Sequence, residues 1–404
     1  MKKLKLLGAQ MQGFHGGIFL TAFVILLAAF LPYLDSQSAP ERVPSDPARL
    51  YEFVLQQCPD AASACLEEAT KKITAKNGPE AALSVLARFQ EAGTLPTSSD
   101  DHQFAHEVGR QTAKTFGISA KSFLSCPTTF NYGCQHGFFE YVLGRTKSTK
   151  EAAALICGAV ESDPSYSDKF KFYCYHGLGH GVMMAQAYDL DAALATCDSL
   201  GSDTAQGGCW QGMFMENVNA GMRGEAREGV FSEKDPLAPC DRVADRYRYQ
   251  CYINHSGYLM TLFHNYIGKA SLACTKAGEF KTPCFQSMGL LTTNPSWQTA
   301  LGNYDVLRNV DFAVSLCGKF PKEGRTDCFI GALDNITNYD EMNLEKRAIP
   351  FCEATAASWG EDACYRQIGI NVLRQVAEKS QRRDICNALR TDKGRMACAT
   401  GAGL

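Results

Sequence analysis

The chain lacks the short fingerprints that mark most enzyme classes. There is no phosphate-binding glycine loop and no dinucleotide fingerprint, which argues against the common nucleotide-binding folds. Neither Ser-x-x-Lys nor Gly-x-Ser-x-Gly occurs, so a hydrolase built on a serine nucleophile is unsupported. Cys-x-x-Cys is absent, which disfavours thiolate metal sites, and with it the Cys-x-x-Cys-His haem attachment motif. A basic excess is missing too. The 40 Lys and Arg are balanced by 43 Asp and Glu, of mixed sign along the chain, so no nucleic acid partner is expected. No stretch alternates with a period of two, so the body reads as all α. Histidine is scarce, at eight in 404 residues.

Cysteine is plentiful. Eighteen is many for a cytosolic chain, and the even number allows full pairing in an oxidising compartment. The N-terminus agrees with that compartment. Lys2, Lys3 and Lys5 precede an uncharged apolar run from about Gly17 to Leu34, long enough to span a bilayer. Lysines held on the cytoplasmic side send everything after Asp35 outward. The run reads as an uncleaved anchor, with a cleaved signal peptide as the alternative. Both place the body in the periplasm or outside the cell. Residues 1–34 are then the stub and anchor, and 35–47 a Ser- and Pro-rich linker. Residues 48–120 form an N-terminal helical region, 121–230 the histidine-bearing repeats, and 231–404 the C-terminal cysteine-paired repeats.

The cysteines set the rhythm. They fall as Cys58 and Cys65, Cys126 and Cys134, Cys157 and Cys174, Cys197 and Cys209, Cys240 and Cys251. Cys274 and Cys284, Cys317 and Cys328, Cys352 and Cys364, Cys386 and Cys398 follow. From Cys134 onward the second member recurs every 33 to 44 residues, the range of helical-hairpin repeats. A helix is expected to end near each first cysteine and another to open at the second. Gly stands three residues after the second cysteine at Gly137, Gly177, Gly212, Gly331 and Gly401, which signals close backbone approach. Pairing within each hairpin is the simplest connectivity, with pairing between neighbouring repeats as the alternative. This arrangement of paired cysteines with a following Gly, from Cys126 to the C-terminus, resembles the cysteine-rich Sel1-like (tetratricopeptide-related) repeat proteins. The resemblance implies a right-handed α-solenoid that presents a binding surface, and it carries over no functional residue.

The histidines add what such repeats do not need. His102 and His106, His136 and Glu140, and His176 and His180 are each four residues apart, so each pair shares one helical face, roughly 5–6 Å apart. His136 and His176 both stand two residues after a second cysteine, and Glu140 and His180 both stand six after it. Gln211 occupies the corresponding place in the next unit, with Glu216 and Asn217 one turn later. Stacked repeats bring equivalent positions together. Six candidate ligands, His102, His106, His136, Glu140, His176 and His180, are therefore expected to aim at one region. They would hold a mononuclear or two-metal site for Zn, Cu, Fe or Mn. Glu216 is the candidate base or supporting group. A hydrogen-bonded histidine ladder and a proton-dependent switch are the competing readings.

His255 and His264 are expected to be structural, His15 incidental at the membrane edge, and Tyr141, Tyr175, Trp210 and Phe214 part of the repeat core. Glu107 and Arg110 flank His106 and are expected to be solvated surface charges, with orienting His106 as the alternative. Asn254-His255-Ser256 and Asn335-Ile336-Thr337 match the glycosylation acceptor pattern. The sequence thus points to a solenoid of disulfide-stapled hairpins behind one transmembrane helix. It would be membrane-anchored and would carry a His/Glu metal site, as a metalloenzyme or a metal carrier. The alternative is a non-catalytic repeat scaffold that binds a partner protein or peptide of the cell envelope.

Overall fold

A computed structural model describes residues 43–95, 101–130, 132–146, 148–294, 297, 310–339 and 344–404. The apolar run at 17–34, His15 and most of the linker lie outside the described residues. Among the described residues no helix is long and apolar enough to cross a membrane. No strand occurs among them either.

The helices of the first half are α1 (Leu50–Gln57), α2 (Ser63–Asn77), α3 (Pro79–Glu91), α4 (Asp101–Phe116), α5 (Ala120–Leu124), α6 (Gly133–Leu143), α7 (Thr149–Glu161), α8 (Asp168–Ala185), α9 (Leu190–Asp198) and α10 (Asp203–Arg223). Those of the second half are α11 (Asp245–Tyr252), α12 (Ser256–Leu262), α13 (Ile267–Cys274), α14 (Lys281–Leu291), α15 (Val310–Gly318), α16 (Arg325–Tyr339), α17 (Ile349–Thr355), α18 (Glu361–Gln375), α19 (Lys379–Asn387) and α20 (Asp392–Gly401). From Ser45 the chain forms one compact unit.

Local chemistry sets the helix starts. Ser148, Ser167, Asp189 and Ser202 each accept a hydrogen bond from the backbone amide three residues on, the usual N-cap arrangement. These caps correct the expectation that the second cysteine opens its helix. Cys174 and Cys209 lie about two turns inside α8 and α10, because Ser167 and Ser202 start those helices earlier. Gly224, in left-handed conformation at φ 72°, ends α10.

All nine disulfides join cysteines adjacent in sequence: Cys58–Cys65, Cys126–Cys134, Cys157–Cys174, Cys197–Cys209, Cys240–Cys251, Cys274–Cys284, Cys317–Cys328, Cys352–Cys364 and Cys386–Cys398. No cysteine is free. Each closes a short loop, worth about 3 kcal/mol in the chain-entropy account. The bridges therefore stiffen individual hairpins and leave the packing between hairpins to other forces.

Glycine supplies one of those forces. A Cβ at Gly109 on α4 would lie 1.8 Å from the carbonyl oxygen of Cys134, and one at Gly137 on α6 would lie 1.8 Å from that of His106. The two helices touch backbone to backbone, reciprocally, each Gly standing three residues after the carbonyl its partner meets. The same reciprocal pair recurs as Gly179 with Gly212, Gly289 with Gly331, and Gly369 with Gly401. Hairpins therefore associate in twos through α4/α6, α8/α10, α14/α16 and α18/α20, a grouping hidden in the single-cysteine rhythm. Around these contacts the apolar core fills with Phe138, Phe139, Leu178, Val182, Met213 and Phe214, all buried. Later in the chain α18 packs against α8. Asn335 is buried and donates to Thr293, so its acceptor motif is not presented at the surface.

Candidate metal centre

Four helices, α4, α6, α8 and α10, pack in sequence and carry the residues singled out above. The carbonyls of His106 and His176 are the ones met by Gly137 and Gly212, so the backbones of two histidines are seated where the helices are closest. Gly133 and Gly177 clear space for the rings. A Cβ at Gly133 would come within 3.0 Å of His102 Nδ1, and one at Gly177 within 3.3 Å of His136 Cδ2.

The result is a cluster of five imidazoles. Neighbouring ring centroids lie between 4.5 Å (His102 and His106) and 5.9 Å (His106 and His180). His106, His136, His176 and His180 are buried, and His102 is half-buried. Ligand atoms of His102, His106 and His136 all lie within 4.8 Å of one another. So do those of His136, His176 and His180.

The outer nitrogens decide what the inner ones can do. His102 Nδ1 lies 2.7 Å from the backbone carbonyl of Phe130, which can only accept, so Nδ1 carries the hydrogen. His106 Nδ1 donates to Glu140 Oε1 at 2.6 Å. His176 Nδ1 donates to Gln211 Oε1 at 2.9 Å, and His180 Nδ1 to Glu216 Oε2 at 3.2 Å. In neutral rings each Nε2 is then a bare lone pair. Yet Nε2 of His102 and His106 face each other at 2.9 Å, and Nε2 of His176 and His180 at 3.2 Å. Two acceptors in such contact require a cation between them. Outer acceptors that fix the tautomer and aim the inner nitrogen are the usual surroundings of metal-bound histidine. The spacings also suit an ion. Zn–N bonds of 2.0–2.1 Å in tetrahedral geometry set ligand nitrogens about 3.3 Å apart.

The fifth ring differs. His136 Nδ1 lies 3.3 Å from His102 Nε2, and its own Nε2 is buried without a hydrogen-bond partner. Burial, reinforced by the neighbouring histidines, holds His136 and His176 well below the ordinary imidazole range, so both are neutral at neutral pH. Burial alone would raise Glu140, but His106 and Arg110 outweigh it and keep its carboxyl well below the carboxylate range. Burial likewise opposes ionisation of Glu216, and His180 together with Arg223 overcomes it.

Of the six expected ligands, the five histidines come together and Glu140 stands behind them. One Glu140 oxygen meets His106 Nδ1 and the other meets Arg110. Arg110 also binds Glu107, which pairs with Lys71 on α2 at 3.1 Å. An alternating chain of charge thus runs from α2 to the cluster. Glu216 occupies the matching post behind His180, and it also accepts from Tyr188 at 3.1 Å and Arg223 at 3.3 Å. The site crosses the expected boundary at residue 120, since His102 and His106 come from α4.

Arg110 and Glu107 thus take the alternative weighed for them, acting on His106 rather than as solvated charges, and they do so through Glu140, which only the crossing of α4 and α6 brings within reach. Tyr188 and Lys71 carry no motif that would have singled them out. Tyr173, whose ring lies 5.3 Å from His176, was equally silent in the sequence. Phe214 is buried in the core, Tyr175 bonds Glu161, Trp210 bonds Asp198, and Tyr141 lies under Arg145. His255 is buried on the carbonyl of Pro236 and is not part of the cluster. No family model, no curated protein and no solved structure matches this chain.

Proposed function

We propose that this chain is a membrane-anchored, extracytoplasmic metal-binding protein, a solenoid of stapled hairpins whose histidine cluster holds a transition metal ion. The supporting observation is the two pairs of Nε2 lone pairs that face each other while every Nδ1 behind them is tied to an acceptor. The nine disulfides support an oxidising compartment. With Glu140 and Glu216 engaged behind the rings, the donor set is all imidazole, which favours Zn or Cu over Mn.

Three imidazoles around one ion leave a fourth position for water or a small ligand, the arrangement of catalytic rather than structural zinc. A bound ion there would supply an activated water or a redox centre. The chain's own residues do the rest. Glu140 and Glu216 keep the hydrogens on Nδ1 of His106 and His180 and aim Nε2 inward. Arg110 and Arg223 hold those carboxylates ionised. Burial of the rings excludes bulk water.

A proton is the competing occupant, because the 2.9 Å separation of His102 and His106 also fits an imidazole–imidazolium pair. The full chain, purified with its disulfides formed, separates the two. After chelation it is equilibrated in turn with Zn, Cu, Fe and Mn and analysed for bound metal. Stoichiometric Zn or Cu, reduced in the double variant His176→Ala with His180→Ala, which removes two of the three ligands of one triad, is the expected result. Failure to retain any of the four ions stoichiometrically would leave the proton reading in place.

A further inference from the structure

We infer that the cluster holds two ions, with the His136 ring bridging them through its two nitrogens. The inference rests on the metal-binding reading above and goes beyond it in number and connectivity. Three observations carry it. His136 is the one residue shared by both triads. The remaining four histidines divide two and two by helix: His102 and His106 from α4, His176 and His180 from α8. His136, on α6 between them, presents Nδ1 to the first pair at 3.3 Å, while its Nε2 is buried with no hydrogen-bond partner. A buried polar atom left unpaired costs on the order of 1–3 kcal/mol unless something fills the gap. Of the five rings, only His136 has no carbonyl, carboxylate or amide fixing either nitrogen. Its four neighbours are each held in one tautomer and can serve one ion only. His136 is left able to serve two.

A ring that binds through both nitrogens does so as imidazolate. Its N–H proton is lost to solvent as the second ion binds, and the ring charge falls by one. Each ion then has three nitrogens, one of them shared, and one open position. The occupants are two divalent transition ions of the Zn or Cu class, alike or mixed. The two carboxylates behind the cluster, Glu140 on the first side and Glu216 on the second, compensate part of that charge.

Copper makes the arrangement visible. The full chain, disulfides formed, is loaded with Cu(II), its metal content measured, and its electron paramagnetic resonance spectrum recorded. Two Cu per chain with a spin-coupled spectrum is the expected result, because an imidazolate transmits coupling between two ions. His102→Ala and His176→Ala should each retain one ion and give the uncoupled signal of a single Cu. His136→Ala should abolish coupling, and should the variant misfold, the wild-type spectrum and the other two variants still decide. One ion per chain, or two ions without coupling, would overturn the bridge and leave metal binding standing. No stoichiometric binding of Cu, Zn, Fe or Mn would overturn both.

Discussion

Substituting Gly137 by Ala tests whether helix contact geometry builds the site. The new Cβ would sit 1.8 Å from the carbonyl oxygen of His106, a backbone atom, and contacts under 3.0 Å essentially do not occur. Helices α4 and α6 must therefore separate by at least about 1.2 Å at this point. That displacement carries His136 and Glu140 away from His102 and His106. Functional groups need holding to within about 0.5 Å, so the first triad should fail as a site. Overpacking of this kind costs about 1–3 kcal/mol in stability as well. Gly144→Ala is the matched control. It lies at the end of the same helix with φ −67°, and its Cβ would meet nothing closer than 3.6 Å. It should be neutral or slightly stabilising. Denaturant midpoints of the metal-free proteins, and Zn titration of each, give the two readouts. A Gly137→Ala protein that matches the control in both would refute the claim that this contact positions the histidines.

Other expectations concern the supporting residues and pH. Glu140→Gln keeps the shape but removes the charge that fixes His106, and should weaken metal affinity about 10–100-fold by titration. Acid should destabilise the metal-free chain in two stages. His136 and His176 titrate lower folded than unfolded, so the unfolded chain takes up protons first. Stability is then lost as pH falls below about 6.5, by up to about 1.4 kcal/mol per pH unit for each ring. His255, held down to about 4 by burial, adds to this in the metal-free and metal-bound protein alike. The carboxylates Glu140 and Glu216, also lowered, add a second loss below about pH 4.5. Denaturation midpoints at pH 7.5, 5.5 and 4 check the order, and constant midpoints from 7.5 to 5.5 would contradict it. Replacing Cys157 and Cys174 together by Ser should cost about 2–5 kcal/mol, because this bridge ties α7 to α8 just ahead of His176.

How far the sequence could be read depended on the kind of interaction. Cysteine spacing acts locally, so the hairpins and their staples were legible, but the capping serines Ser167 and Ser202 start their helices earlier than the cysteine rhythm implies. The histidine pairs were legible because i, i+4 spacing and repeat register need only helical geometry. Their division around His136 was not, since it depends on how α4, α6 and α8 cross. The same holds for Glu140. At i+4 from His136 it reads as a ligand on one face, yet the crossing with α4 turns it toward His106 and Arg110. Gly109 carries no repeat signal because no cysteine stands three residues before it, and Gly179 follows its cysteine by five residues rather than three. Both become intelligible only as the reciprocal partners of Gly137 and Gly212.

Whether the facing imidazole nitrogens bind an ion can be read from X-ray absorption at the zinc edge on the Zn-loaded full chain. The expected spectrum shows three imidazole nitrogens bound to zinc near 2.0–2.1 Å with one further light ligand, lost in the His176→Ala, His180→Ala, His102→Ala triple variant. A shell of oxygen alone, or a spectrum unchanged by those substitutions, would contradict it.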